Sequence, residues 1–564
     1  MNRRSLIVTG RAAEGAAALV TGAGHAERST RKTGPSADDN GKPGDDHRRM
    51  DGYDYVIVGA GSAGCVLAAR LSEDPDARVL LLEAGGEASG IGAIADPRLW
   101  PTNLKTDVDW GYDTEVQPGT GRSHAFARGR VIGGSSAING MIFLRGDRTV
   151  YDAWANAGNP GWDFESVLPY FKRSEAVQGR DRRLRGSEGP LRPAPVARPN
   201  PIARSFIDAC LQAGHPSTDD VNGASRDGVA LHDLNIVDGM RQSAADAYLT
   251  AAVRARPNLV IESRTRVLRL LLKSDRCVGV GVVADGVQRD IRAAQEVILS
   301  AGAIDTPRLL MLSGIGPADE LTQVGIDVAV DLPAVGRNLQ DHTVTGLIYQ
   351  ARRTIPPATA NHGEASLLWR SSAAEPACDL HLVICDVPIT SMPTPANCCT
   401  LLLANLRPAS RGLTRLRSAD PTQPPLIAPN YLAEQSDLEK VLLGLATARE
   451  IAAAPAFGDW GLREVLPGPD ATARDALTAF VRVATETYNH ASGTCRMGPG
   501  DGSVVDSTLA VHGVQALRIA DASIAPTIPD ANTHATVIMI AEKAADLIKV
   551  AQSPALARTH ERIA

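Results

Sequence analysis

The triplet Gly59-x-Gly61-x-x-Gly64 and the carboxylate of Glu83 are the first residues of this chain whose types and spacing point to chemistry. Glycines at this interval suit a backbone that turns tightly, approaches a diphosphate and then lets a helix pack closely on a strand. The amides at the start of that helix present partial positive charge to phosphates. Glu83, at the end of the next apolar run, can accept hydrogen bonds from ribose hydroxyls, and Ala84-Gly85-Gly86 keeps the backbone close to the same ligand. A second glycine-rich stretch runs from Arg128 through Gly129, Arg130, Val131, Ile132, Gly133, Gly134, Ser135, Ser136, Ala137, Ile138 and Asn139 to Gly140. As a loop it offers amides and one side-chain amide to a large flat ligand. These residues leave FAD and NAD both open.

Other chemistries find little support. No GxSxG elbow occurs, which sets a serine hydrolase aside. The eight cysteines form no CxxC and no zinc-ligand spacing, so no metal site is expected. Cys398 and Cys399 are adjacent, a poor layout for a disulfide framework, and a reducing compartment fits.

The elements that must position these residues can be read from apolar patterning. Tyr55 to Val58 is a continuous β-branched run, as in a strand buried on both faces of a parallel sheet. An amphipathic stretch through Val66, Leu67 and Leu71 follows and ends by Asp74-Pro75. Arg78 to Leu82 is a second buried strand, completing a βαβ unit. Asn258 to Leu272, a short strand at Glu296 to Ser300, and Leu517 to Asp521 extend the same sheet, and a long helix covers Ala535 to Val550. A β-rich portion between about 345 and 480 carries strands such as Leu401 to Leu403 and Leu413 to Leu416.

A chain of 564 residues is too long for one core. Its 44% hydrophobic and 22% charged residues describe a soluble globular protein, and a net charge of −6 argues against a nucleic-acid partner. No run of about 18 apolar residues suggests a membrane span. The first fifty residues lack apolar periodicity and read as a disordered leader. Arg3-Arg4 before Ser5 to Val8 has the outline of a twin-arginine export signal, with Gly24 to Ala26 as a cleavage site, but Arg11 and Glu14 interrupt the apolar stretch. A cytoplasmic protein is expected, with export as the alternative; a start at Met50 also fits.

Taken together, the motifs resemble the glucose–methanol–choline (GMC) family of FAD-dependent oxidoreductases, from about Tyr53 to Ile548. ARGRVIGGSSAINGM at 127–141 is similar to the family's first signature and GAIDTPRLLMLSGIG at 302–316 to its second. VGRNLQDH at 335–342, LRPASRG at 406–412, NHASGTCRMG at 489–498 and the segment 504–548 also fit. The resemblance implies an α/β fold: a doubly wound, Rossmann-like FAD domain built from discontinuous segments, and a second α+β domain whose sheet covers the flavin. The domain boundaries expected are a leader at 1–51, the main FAD part with inserted substrate segments at 52–345, a substrate domain at 346–480, a C-terminal return at 481–550 and a tail at 551–564.

Site residues follow from the same resemblance. Gly59, Gly61, Ser62, Ala63, Gly64, Glu83, Ala84 and Val267 would hold the adenosine end of FAD. Arg130, Val131, Gly133, Gly134, Ser135, Asn139, Gly140 and Met141 would lie along the flavin, and Asp521-Ala522 against the pyrophosphate and ribityl chain. Ile138 stands where some relatives carry a flavin-linking histidine, which implies non-covalent FAD. His490 matches the family's base, acting at near-neutral pKa on the alcohol hydroxyl while a hydride leaves for flavin N5. His534 matches the second position, also beside the cofactor, and is expected to hydrogen-bond His490. Asn489 would either point near the substrate or hold its loop. The implied activity is that of an alcohol dehydrogenase or oxidase acting on a small alcohol, with O₂ or a quinone or protein as electron acceptor; an oligomer is compatible. Alternatives on the same fold are a hydroxynitrile-type lyase, a light-driven decarboxylase and a non-catalytic flavin-binding protein.

Overall fold

The computed structural model describes residues 52–552; the expectations for the leader and signal at 1–51, and for 553–564, lie outside the described residues. Tyr53–Val58 forms the centre of a seven-stranded sheet, because Val56 and Ile57 are apolar on both faces and both faces are covered. It pairs in parallel with Val79–Leu82 on one side and with Val287–Leu299 on the other. Leu259–Glu262 and Leu517–Ile519 add further parallel strands. Helix Ser62–Leu71 makes the crossover from the first strand to the second and stops at Leu71, ahead of Asp74-Pro75. The long C-terminal helix, Thr533–Ala551, packs beside it.

Within this first sheet, two features differ from the sequence expectation. The short strand placed at Glu296 to Ser300 is the end of a thirteen-residue strand, Val287–Leu299. Its first half pairs antiparallel with Arg276–Ala284, which in turn pairs with Thr265–Lys273. That half is exposed and carries Gln288, Arg289 and Asp290, so no apolar run marks it. The stretch from Asn258 to Leu272 accordingly divides at Ser263-Arg264 between the parallel sheet and this antiparallel meander.

The second seven-stranded sheet is antiparallel. Its path runs Arg463–Leu466, Thr343–Gln350, Cys398–Asn405, Leu380–Cys385, Ala365–Trp369, Gly228–Leu231, with Thr485–Thr487 also on the second of these. It therefore takes strands from before and after residues 346–480. Alternation separates its faces. Leu347, Leu401, Leu403, Leu382 and Ile384 pack toward helices Pro201–Gln212 and Gln435–Ala452. Val344, Leu402, Ala404, Val383 and Cys385 form the other, separate apolar layer. Within the portion read as β-rich, Gln435–Ala452 and Arg474–Ala484 are helices; the first buries Leu438, Val441, Leu445, Ala448 and Ile451 at three- and four-residue spacing. Leu413–Arg415 lies outside the large sheet, in a small hairpin with Leu426–Ala428.

A buried ionic link ties the two nucleotide-side helices together. The Arg70 guanidinium gives one hydrogen bond to each Glu542 carboxylate oxygen at 2.9 Å, and the Tyr248 hydroxyl donates to the same carboxylate at 2.8 Å. Glu542 is fully buried. Arg173 lies 2.7 Å from the same carboxylate, so removing Glu542 would take away the shared partner of two guanidinium groups and a phenol, whereas Arg70 is partly exposed and also pairs with Glu73 at 2.9 Å.

Candidate functional site

A cleft of about 2590 Å³ runs between the two sheets, and most of the residues singled out in the sequence meet on its walls. At one end the turn after Val58 brings Gly59, Gly61, Ser62 and Ala63 to the surface of the cleft. Gly64 is behind them, where a Cβ would sit 1.9 Å from the Gly59 carbonyl oxygen, so only glycine lets the helix start against the turn. The second glycine-rich stretch rests directly on the first. The Gly133 amide donates to the Ala60 carbonyl at 2.8 Å, and a Cβ on Gly134 would lie 2.6 Å from the Gly61 Cα. Gly134, Ser135, Asn139, Gly140 and Met141 line the cleft, as do Glu83, Ala84, Val267, Asp521 and Ala522.

Gly64, Arg130, Val131 and Gly133 do not line it. Val131 is buried behind the wall, Gly133 makes the left-handed turn that joins the two stretches, and the Arg130 guanidinium stacks over the Trp110 ring. Gly64, Val131 and Gly133 back the wall, while Arg130 is exposed and covers the Trp110 ring.

The residues present fit the FAD implied above. Glu83 accepts the Ala60 amide at 2.9 Å on one oxygen and the Gly85 amide at 2.8 Å on the other. Each oxygen keeps a further lone pair for a ribose hydroxyl. Burial raises the Glu83 pKa to about 7, partly offset by those two amides. Five polar atoms of residues on the cleft are buried without a protein partner: Ser300 Oγ, Asn532 Oδ1, His534 Nε2 and the Nε atoms of Arg122 and Arg128. Such atoms are costly unless a ligand satisfies them. The carboxylate of Asp521 works within the protein, accepting from the Gly302 amide at 2.8 Å and the Thr306 hydroxyl at 2.6 Å, and so joins the last strand to helix Gly302–Leu312. Ile138 also faces the cleft and carries no nucleophilic atom.

At the other end of the cleft, segments 340–342 and 488–492 lie side by side. The Gln340 amide donates to the Ser492 carbonyl, the Ser492 amide returns a bond to Gln340, and the Tyr488 amide donates to the His342 carbonyl at 2.8 Å. Buried Asp341 accepts the His490 amide at 2.7 Å and the hydroxyls of Thr487 and Tyr431, each at 2.5 Å. Asn489 adopts a left-handed φ of 62° and accepts the Ala127 amide at 2.9 Å, so of the two roles considered it holds the loop.

This pairing sets the tautomer of His490. His342 Nε2 lies 2.9 Å from the Leu406 carbonyl oxygen, which can only accept, so that nitrogen carries the proton. Burial holds His342 neutral, with its pKa lowered to about 3. Its Nδ1 is therefore an acceptor, and His490 Nδ1, 2.9 Å away, must be the donor. The lone pair of His490 is left on Nε2, where it accepts from Asn532 Nδ2 at 3.2 Å, a contact that an alcohol hydroxyl must displace to reach the same lone pair. Burial, with His342 and Arg128 nearby, pushes the His490 pKa well below the usual value; the near-neutral base expected from the sequence is instead a firmly neutral imidazole.

The expected hydrogen bond between His490 and His534 is not made. His534 is the second residue of its helix, and its Nδ1 meets Ser62 Oγ at 3.2 Å, at the start of the first helix. Asn532, immediately before that helix, takes the place beside His490. Burial, with Arg241 adding to it, lowers the His534 pKa to about 4. Asp530 fastens the preceding loop by accepting from the Asp147 amide at 2.7 Å and from Arg226 at 2.9 Å. Sequence reasoning missed His342, Asn532 and Asp341 as site residues. His342 and Asp341 close the VGRNLQDH segment, and that was the available signal.

The chain is similar to known proteins over most of its length. Models of the GMC oxidoreductase family match residues 53–344 and 408–541. The human mitochondrial choline dehydrogenase is 40% identical, covering 88% of this chain and 90% of its own. An alcohol dehydrogenase [acceptor] of Pseudomonas putida is 36% identical over 88% of this chain and 95% of its own. The crystal structure of a pyridoxine 4-oxidase from Mesorbium loti superposes with a TM-score of 0.85 at 39% identity, covering 88% of this chain and 98% of that one.

Proposed function

The chain belongs to the GMC oxidoreductase family, and from that premise we propose that it oxidises an alcohol, with His490 Nε2 taking the hydroxyl proton as the carbinol carbon loses a hydride. The observation that carries this reading is the tautomer relay: the Leu406 carbonyl orients His342, and His342 leaves the lone pair of His490 on Nε2. FAD, when bound, supplies at N5 the two-electron acceptor for the departing hydride. Proton transfer to a placed imidazole contributes roughly 10²- to 10⁴-fold in such reactions. As Nε2 gains a proton, the proton on Nδ1 stays in its 2.9 Å hydrogen bond to His342, which holds the ring in place while the charge remains on His490.

His534 is the second polar group of the site. Its unpartnered Nε2 can meet the alcohol oxygen or the cofactor, while Ser62 steadies the ring from behind. Asn532 limits the rotation of His490. Gly59, Gly61, Ser62, Ala63, Glu83 and Ala84 would hold the adenosine end of FAD, with Gly134 to Met141 along its flavin. Ile138 offers no atom for a covalent link, which supports non-covalent attachment.

Anaerobic mixing of the holoprotein with primary alcohols tests the reading. Bleaching of the flavin band by at least one alcohol, with formation of the matching aldehyde, is expected. A flavin left oxidised by every alcohol would overturn it and favour a lyase or decarboxylase on the same fold.

A further inference from the structure

The half of the cleft beyond His490 is walled by one face of the antiparallel sheet. Val344, Leu402, Val383 and Cys385 form a continuous apolar layer there, since Val383 is paired with Leu402 across adjacent strands and Val344 stands two residues before Gly346, which is also paired with Leu402. Ile142 packs against the same layer, as does Tyr488, whose ring centroid is 4.4 Å from that of His490. The base is thus set at the edge of an apolar wall. Charge on this half is already neutralised within the protein. Asp386 is paired with His362 at 2.7 Å, and Glu486 with Arg122 at 2.8 Å. Arg98 is paired with Asp96 at 2.6 Å.

A quaternary ammonium group entering such a pocket loses its water and needs a carboxylate or a set of ring faces in exchange. The apolar layer supplies neither beyond the one Tyr488 ring, which already packs on His490, and Trp100, held by its Nε1 bond to the Asn361 carbonyl at 2.9 Å, adds a single further ring rather than a set of faces. An uncharged hydrocarbon body gains by leaving water for the same wall. Building on the alcohol-oxidising reading, we propose that the substrates are uncharged primary alcohols with an apolar body, and that this wall selects against cationic alcohols such as choline. In this respect the chain departs from the choline dehydrogenases it is similar to.

Choline and 3,3-dimethylbutan-1-ol have nearly the same shape and differ in one charge, so the pair isolates the selecting force. Flavin reduction by both, and by straight-chain alcohols from ethanol to octanol, is followed anaerobically on the holoprotein. Expected is kcat/KM rising about 3- to 4-fold per added methylene, the worth of burying one CH₂. Choline should fall about 100-fold or more below its neutral isostere or, if the branched head is too wide, below the best straight-chain alcohol. Leu402→Ala, with bound flavin checked by absorbance, should flatten the chain-length slope. Choline matching or exceeding every neutral alcohol overturns the proposal while leaving alcohol oxidation intact. No reduction by any alcohol, choline included, overturns the functional reading beneath it.

Discussion

Replacing His342 by phenylalanine tests the tautomer relay without touching the base. The ring fills a similar space but cannot accept the proton on His490 Nδ1, now 2.9 Å from the His342 acceptor nitrogen. A buried donor left unpaired costs about 1–3 kcal/mol. The other tautomer escapes that cost, since a proton on Nε2 could be accepted by Asn532 Oδ1 after an amide flip; that oxygen has no partner now. At about 1.4 kcal/mol per tenfold change, the productive tautomer should become roughly 5- to 150-fold scarcer. The rate of flavin reduction at saturating alcohol should fall by that factor, with little change in substrate affinity. His342→Gln should stay within about 5-fold of wild type, because its carbonyl can accept from His490 while its amide donates to Leu406. Stopped-flow bleaching of bound flavin reads both variants. Wild-type reduction in His342→Phe, with flavin content unchanged, would refute the relay.

Four further outcomes are expected. His490→Ala should slow flavin reduction by about 10²-fold or more, the size of a general-base contribution, whereas His534→Asn should cost less and His534→Ala an intermediate amount; equal rates in all of them would count against both roles. Burial lowers the pKa of both His490 and His534, so the neutral imidazoles persist as pH falls, and the acid limb of kcat/KM should lie below pH 6.5; a limb at or above 6.5 would contradict this. Gly64→Val should yield protein with little FAD, since even a Cβ there lies 1.9 Å from the Gly59 carbonyl, and the ratio of flavin to protein absorbance measures it. Acid precipitation of wild type should release intact FAD into the supernatant, and yellow precipitated protein would count against the role given to Ile138.

The nucleotide half of the molecule was legible in the sequence because its signals are local. Val56 and Ile57 form an uninterrupted buried strand, and Gly59, Gly61 and Gly64 mark the turn that follows within a few residues. The substrate half was less legible. The first part of Val287–Leu299 is exposed and polar, so its pairing leaves no apolar trace, and Gln435–Ala452 stands among strands whose punctuation masked its helical spacing. The partner of His490 depends on segments about 150 residues apart lying side by side, which no local pattern records. For His534 the residue type suggested a ring facing His490. Its place on the first turn of a helix sends Nδ1 toward Ser62 instead.

The strand Leu517–Ile519 and the helix Thr533–Ala551 have a consequence for how the protein is made. The strand docks on Val287–Leu299, and the helix lies against Ser62–Leu71, so the first and last portions of the described chain share one layer. Asp521, Ala522, Asn532 and His534, all on the cleft, arrive only with that final portion. On the ribosome, therefore, the glycine turn emerges hundreds of residues before the wall opposite it. Such long-range closure is slow, and the unpaired edge of Val287–Leu299 is open to wrong partners while it waits. Flavin loading thus belongs to the end of synthesis, and a chain broken off before Leu517 would be a colourless, aggregation-prone product rather than a weakly active enzyme.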